Sequence, residues 1–159
     1  ADARMVRTFS TDPTRLGQLF RASGSLARCE VMKKYFNSCF GSNPWDDEKQ
    51  HGIYDSPLPK GQSGSTNYLT SKSTISTSVF SGSNPDSEIA ATLAHELSHQ
   101  ASLSTWDGLT YIGGASPTGR CTSDAFERLA RCIITKGCEN CSPKTCEEPG
   151  VVFGPEYYR

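Results

Sequence analysis

Two histidines and a glutamate stand close together in the run His95-Glu96-Leu97-Ser98-His99, with the imidazoles at i and i+4 and the carboxylate beside the first. On a helix this spacing puts both rings on one face, one turn apart, where they can bind a single zinc ion. Glu96 is offset around such a helix by about 100°, so it reaches a water on the metal rather than the metal itself. The chemistry predicted is hydrolysis, with Glu96 as the base. The plainer reading is a pair of surface histidines on an amphipathic helix. A catalytic zinc takes three protein ligands, and no histidine follows His99 in the chain. Three residues can complete the set: His51 upstream, Asp107 eight residues beyond His99, and Glu127 further on.

The element that must present these residues is readable around them. Asn84-Pro85 followed by Asp86 and Glu88 is a helix start, with a polar cap, proline in the first turn and acids against the positive end of the dipole. The helix is expected to run to about Leu103, burying Ile89, Ala90, Leu93, Ala94, Leu97 and Ala101 along one stripe. A loop containing glycine and tryptophan follows, 104–120. Thr122, Ser123 and Asp124 then offer caps for a second strong helix through Ile134, with Phe126, Leu129, Ala130 and Ile133 on its apolar side. Upstream, Pro13 to Phe36 has near-helical periodicity broken at Ser23-Gly24-Ser25, which predicts two short helices. The stretch 37–64 is rich in Gly, Pro, Ser and Asp and reads as loop. Between Ser65 and Phe80, Ile75, Thr77 and Val79 alternate with polar residues, which predicts one or two strands. Past Gly137 the tail is cysteine-rich and loop-like.

The chain has 159 residues, enough for one domain with a buried core, and the whole of 1–159 is expected to form it. Its 16 basic and 17 acidic residues leave a net charge of −1 and no basic footprint, which argues against nucleic acid or an anionic membrane as partner. Apolar runs are far shorter than a membrane span of roughly 20 residues. A start at Ala1-Asp2-Ala3 reads as a processed product whose leader has been removed. Seven cysteines, Cys29, Cys39, Cys121, Cys132, Cys138, Cys141 and Cys146, suit an oxidising compartment and allow at most three intrachain bridges. The rival reading is a zinc knuckle at Cys138, Cys141 and Cys146, although no histidine lies nearby to complete it.

Beyond the helix, Ser104-Thr105-Trp106-Asp107-Gly108-Leu109-Thr110-Tyr111-Ile112-Gly113 resembles the Gly-Thr-x-Asp-x-x-Tyr-Gly element of the deuterolysin-like, or aspzincin, metallopeptidases. Ser104 replaces the first glycine, and one extra residue lies on each side of Tyr111. Thr122-Ser123-Asp124-Ala125-Phe126-Glu127 looks like the family's later Asn-Ala-Asp-Ser-Tyr-Glu element. The resemblance spans about 84–132. It implies Asp107 as the third zinc ligand, Tyr111 as a donor to the transition state, and Asp124 with Glu127 as the pocket for the residue after the scissile bond, which would favour lysine or arginine there. Each residue also has a structural reading. Asp107-Gly108 suits a tight turn, Asp124 and Glu127 have the spacing of a capping box, and Tyr111 suits a core.

The expectation is therefore an α+β, zincin-like domain stabilised by disulfides, with an active-site helix, a small sheet over the cleft and flanking helices. It would be a secreted, monomeric zinc endopeptidase acting on protein or peptide substrates laid along the sheet edge. The alternatives are a secreted zincin scaffold that works by binding a partner, and a zincin with Glu127 as the third ligand.

Overall fold

The computed structural model describes residues 8–9, 12–46, 52–67, 69–101, 110–111, 114–115 and 121–143. Within them the fold is α+β. Four helices, α1 Pro13–Ala27, α2 Glu30–Phe40, α3 Pro85–Ala101 and α4 Ser123–Lys136, accompany strands β1 Thr8–Phe9, β2 Ile53–Ser56, β3 Gly64–Thr66 and β4 Ser73–Ser76. These strands form one sheet in the order β1-β2-β4-β3. β1, β2 and β4 are parallel, while β3 runs antiparallel to β4, pairing Gly64 with Ile75 and Thr66 with Ser73. A two-stranded hairpin, β5 Thr110–Tyr111 and β6 Gly114–Ala115, lies in the segment expected to be loop.

Helix α3 is central, packing on α1, on α4 and on the β3 and β4 side of the sheet. Its alanines explain how. Ala90, Ala91 and Ala94 are fully buried beside Ile89, Leu93 and Leu97, so neighbouring elements can close on more than one face of the helix. Ala101, expected in the buried stripe, is exposed instead. α4 carries Phe126, Leu129, Ala130 and Ile133 inward, as its periodicity predicts. Around Phe126 the core is aromatic: Phe36 lies 4.3 Å from it between ring centroids, and Trp45 meets Phe36 edge-on at 5.5 Å.

Three sequence expectations are corrected. The expected break at Ser23-Gly24-Ser25 is absent, and α1 runs straight through it. Ser25 satisfies its hydroxyl by donating to the Arg21 carbonyl at 3.0 Å, and Ser23 and Gly24 are simply small residues on a buried face. The chain turns instead at Cys29, whose extended backbone caps α2. Second, 37–64 is not all loop, because β2 sits there between β1 and β4. Its Ile-Tyr-Asp-Ser sequence hides the strand, since Asp55 is buried in it through an ion pair with Arg15. Third, the strand pattern to Phe80 stops at Ser76. The next five residues form a 3-10 turn, Thr77–Ser81, with the Ser76 hydroxyl accepting from Ser78 N, and the neighbours Val79 and Phe80 are both buried, which no strand allows on one face.

Three disulfides tie α2 to the two ends of α4 and α4 to the segment after it: Cys29, at the cap of α2, to Cys138, Cys39 on α2 to Cys121, and Cys132 on α4 to Cys141. They consume two of the three thiols a zinc knuckle at Cys138, Cys141 and Cys146 would need, which removes that reading. Cys146 lies outside the described residues. None of the described helices is long and apolar enough to cross a membrane.

Candidate metal centre and cleft

α3 directs His95 and Glu96 to different neighbours, as the turn of about 100° between consecutive helical residues requires. His95 faces α4: its Nδ1 lies 3.0 Å from Glu127 Oε1 and 3.4 Å from Asp124 Oδ1. Its Nε2 lies on the Glu96 side, 4.0 Å from Oε1. His99 stands a turn further on, with its ring centroid 5.0 Å from that of His95. Its Nε2 is 3.2 Å from the Ser123 hydroxyl, which is itself 2.6 Å from Ser98 Oγ. This Ser-His contact has the form of a nucleophile and its base, but Ser123 is 0% exposed, so no substrate reaches it. It positions His99.

Glu96 faces the sheet. It is only 4% exposed, and its Oε2 accepts a 2.5 Å hydrogen bond from Thr66 on β3. Gly64, two residues earlier, makes room for it: a Cβ there would stand 2.9 Å from both Glu96 Oε1 and Thr92 Cγ2. Between β3, α3 and the start of α4 opens a cleft of about 360 Å³ lined by Gln62, Gly64, Thr66, His95, Glu96, His99 and Asp124, along with Ser65.

The start of α4 corrects the capping-box reading. Thr122, not Asp124, is the N-cap, its hydroxyl accepting from Ala125 N at 3.2 Å. Asp124 therefore falls in the first turn, and its carboxylate joins that of Glu127 at His95. Burial alone would push the Glu127 carboxyl up, but its hydrogen bond to His95, the charge of His95 and nearby Arg131 outweigh this and hold it below the ordinary value. Arg131 is 3.5 Å from Glu127 Oε2 and grips Glu88 through two hydrogen bonds. Burial would lower its own pKa; the bonds and charges of Glu88 and Glu127 raise it overall.

Of the residues singled out in the sequence, His95, Glu96, His99, Asp124 and Glu127 come together. One donor atom each from His95, Asp124 and Glu127 lies within 4.8 Å of the others, a group able to hold a metal ion. Asp107 and His51 lie outside the described residues. Tyr111 is placed only as backbone, in β5. The residues that sequence reasoning missed are Thr66, Gly64, Ser98, Ser123 and Arg131. Thr66, Gly64 and Arg131 belong to no motif; Ser98 lies inside the histidine pair and Ser123 inside the Thr122–Glu127 stretch, but their types and spacing gave neither a role at the site.

Comparison with known proteins finds no matching family model, no matching curated protein and no matching solved structure.

Proposed function

We propose that this chain is a secreted zinc metalloendopeptidase of zincin-like architecture. The observation that carries the reading is the shared cleft, in which a buried carboxylate and two imidazoles set edge-on, 5.0 Å apart, lie beside strand β3. Among the described residues β3 pairs only with β4, so its other edge is available for an extended peptide to add as a further strand. Three disulfides support the secreted assignment.

The donor set fits zinc, since imidazole with carboxylate is a common catalytic combination for this ion. His95 and His99 would hold it, with Asp107 as the third donor. Glu127 suits an outer role better. A ligating histidine usually donates its other ring N–H to a carboxylate, and Glu127 Oε1 lies where His95 Nδ1 can do so, with Nε2 on the Glu96 side. A bound zinc supplies polarisation of the scissile carbonyl and acidifies the attacking water. Glu96 takes up the water's proton and passes it to the leaving amine. Tyr111 is assigned as a donor to the developing oxyanion. The peptide bond lies along β3, whose backbone fixes its direction.

The ligand assignment predicts a ranking. Asp107→Ala is expected to abolish zinc retention on gel filtration, whereas Glu127→Ala keeps one zinc per chain with affinity lowered about 10- to 100-fold, as for an outer-shell carboxylate. The opposite ranking makes Glu127 the ligand.

Asp124, which lines the cleft, is the acid best placed to meet a cationic side chain. Both acids meet His95, but Glu127 is nearer to it, at 3.0 Å against 3.4 Å, and is also paired with Arg131. Cleavage of a denatured protein such as casein is therefore expected to occur before lysine or arginine. Asp124→Asn should flatten that preference with zinc retained, the ion-pair contribution being a few kcal/mol at most. Profiling the cut sites in a peptide library checks both. No cleavage by the zinc-loaded protein refutes the enzymatic reading, and small or aromatic residues after the cut refute the role of Asp124.

A further inference from the structure

Thr66 sits in a chain of hydrogen bonds that ends on the proposed base. Gln100 Nε2 lies 2.8 Å from Ser73 Oγ and 3.4 Å from the Gly52 carbonyl. Ser73 Oγ is 2.8 Å from Thr66 Oγ1, which in turn is 2.5 Å from Glu96 Oε2. The direction of every bond in this chain follows from its ends. The Gly52 carbonyl only accepts, so the Gln100 amide nitrogen is the group turned inward, and it only donates. Ser73 accepts from it and turns its own O–H to Thr66. Thr66 has then received its bond from Ser73, and it donates to Glu96, whose carboxylate only accepts.

The geometry points to Thr66 as a positioning residue for Glu96, with Ser73 and Gln100 fixing the direction in which it donates; this rests on the proposed hydrolytic role of Glu96. Three features make the relay more than core packing. Ser73 is 0% exposed, and its hydroxyl joins two elements, since Gln100 is on α3 and Thr66 on β3. The relay occupies one carboxylate oxygen of Glu96 only. The other, Oε1, lies 4.0 Å from His95 Nε2, in space that a Cβ on Gly64 would invade at 2.9 Å, so the glycine leaves this oxygen room in the cleft. Finally, Ser73 and Thr66 are direct partners across β3 and β4, so the register of the edge strand sets the position of the base. A peptide that pairs with β3 and the group that acts on it are thus indexed to the same strand.

Thr66→Val keeps the shape and the strand preference but cannot donate, and Thr66→Ser restores the donor. In the zinc-loaded protein, Thr66→Val is expected to lower kcat 10- to 100-fold with KM within about twofold, and Thr66→Ser to recover most of the loss. Ser73→Ala should give a smaller loss of the same kind, and it carries the test if Thr66→Val does not fold. In the metal-free protein, carbon-13 relaxation of the Glu96 side chain should show a rigid group that becomes mobile in Thr66→Val. Unchanged kcat in Thr66→Val, a loss confined to KM, or a Glu96 side chain equally rigid without the hydroxyl overturns the assignment. If the wild type cleaves nothing while Glu96 loses its order in Thr66→Val, the peptidase reading fails and the positioning role stands.

Discussion

Glu96→Gln is expected to lower the rate of peptide hydrolysis by about 10²- to 10⁴-fold, the range for removal of a general base, with one zinc per chain retained. The expectation follows from what the carboxylate touches. Glu96 is nearly inaccessible, and its Oε2 is engaged by the Thr66 hydroxyl. Glutamine keeps a carbonyl oxygen for that hydroxyl, so the hydrogen bond and the packing beside Gly64 survive while the capacity to take a proton is lost. Glu96→Ala should lose as much activity, but it also takes away the short carboxylate contact of Thr66 and leaves its hydroxyl only the 3.4 Å contact to the residue 96 carbonyl, a loss of about 1–3 kcal/mol for a hydrogen bond to a charged group. Comparing melting temperatures of the two variants separates that cost from catalysis. Zinc content by atomic absorption and turnover of a casein-derived peptide are the measurements; a Glu96→Gln protein within tenfold of wild type would end the general-base assignment.

What the sequence revealed about this site and what it hid divide along a physical line. Spacing on one helix is a local property, and the i, i+4 histidines with the adjacent glutamate are found where the 3.6-residue period puts them. The inward residues of α4 were legible for the same reason. What was hidden depends on contacts between elements remote in sequence. Thr66 lies 30 residues from Glu96, and Ser123 lies 24 from His99. A serine or threonine in a Ser/Thr-rich stretch gives no sign that it is the one facing a carboxylate. β2 was hidden because its buried Asp55 looks like a loop residue until Arg15, 40 residues away, is seen to pair with it. The acidic pair on α4 shows the opposite case. Its spacing suits a cap and a binding pocket alike, and only the cap on Thr122 leaves both carboxylates to meet His95.

The disulfides carry the second large effect, and they should separate stability from activity. Cys29–Cys138 closes 109 residues and Cys39–Cys121 closes 82, whereas Cys132–Cys141 closes only 9. In the chain-entropy picture the two long loops are each worth about 4–5 kcal/mol and the short one under about 3, against a total stability of about 5–15 kcal/mol for a typical domain. The Cys29→Ala/Cys138→Ala double variant is therefore expected to melt roughly 10–15 °C lower, at about 2–4 °C per kcal/mol for a chain of this size. Cys132→Ala/Cys141→Ala should lose less. Cys39–Cys121 differs in what it holds. Cys121 directly precedes the Thr122 cap, has a strained positive φ of 62°, and donates its N–H to the Tyr35 hydroxyl at 3.0 Å. That anchor fixes the start of α4, from which Ser123 reaches His99 and Asp124 reaches His95. Removing it should destabilise the protein about as much as loss of Cys29–Cys138 and, well below the melting temperature, also weaken zinc binding, which the Cys29/Cys138 variant should leave near wild type. Zinc titration at 10 °C on both variants, alongside thermal melts, tests the separation. Equal zinc affinity in the two would mean that α4 holds its first turn at the histidines without the bridge, and full alkylation of the wild-type thiols without reductant would mean that the bridges do not form at all.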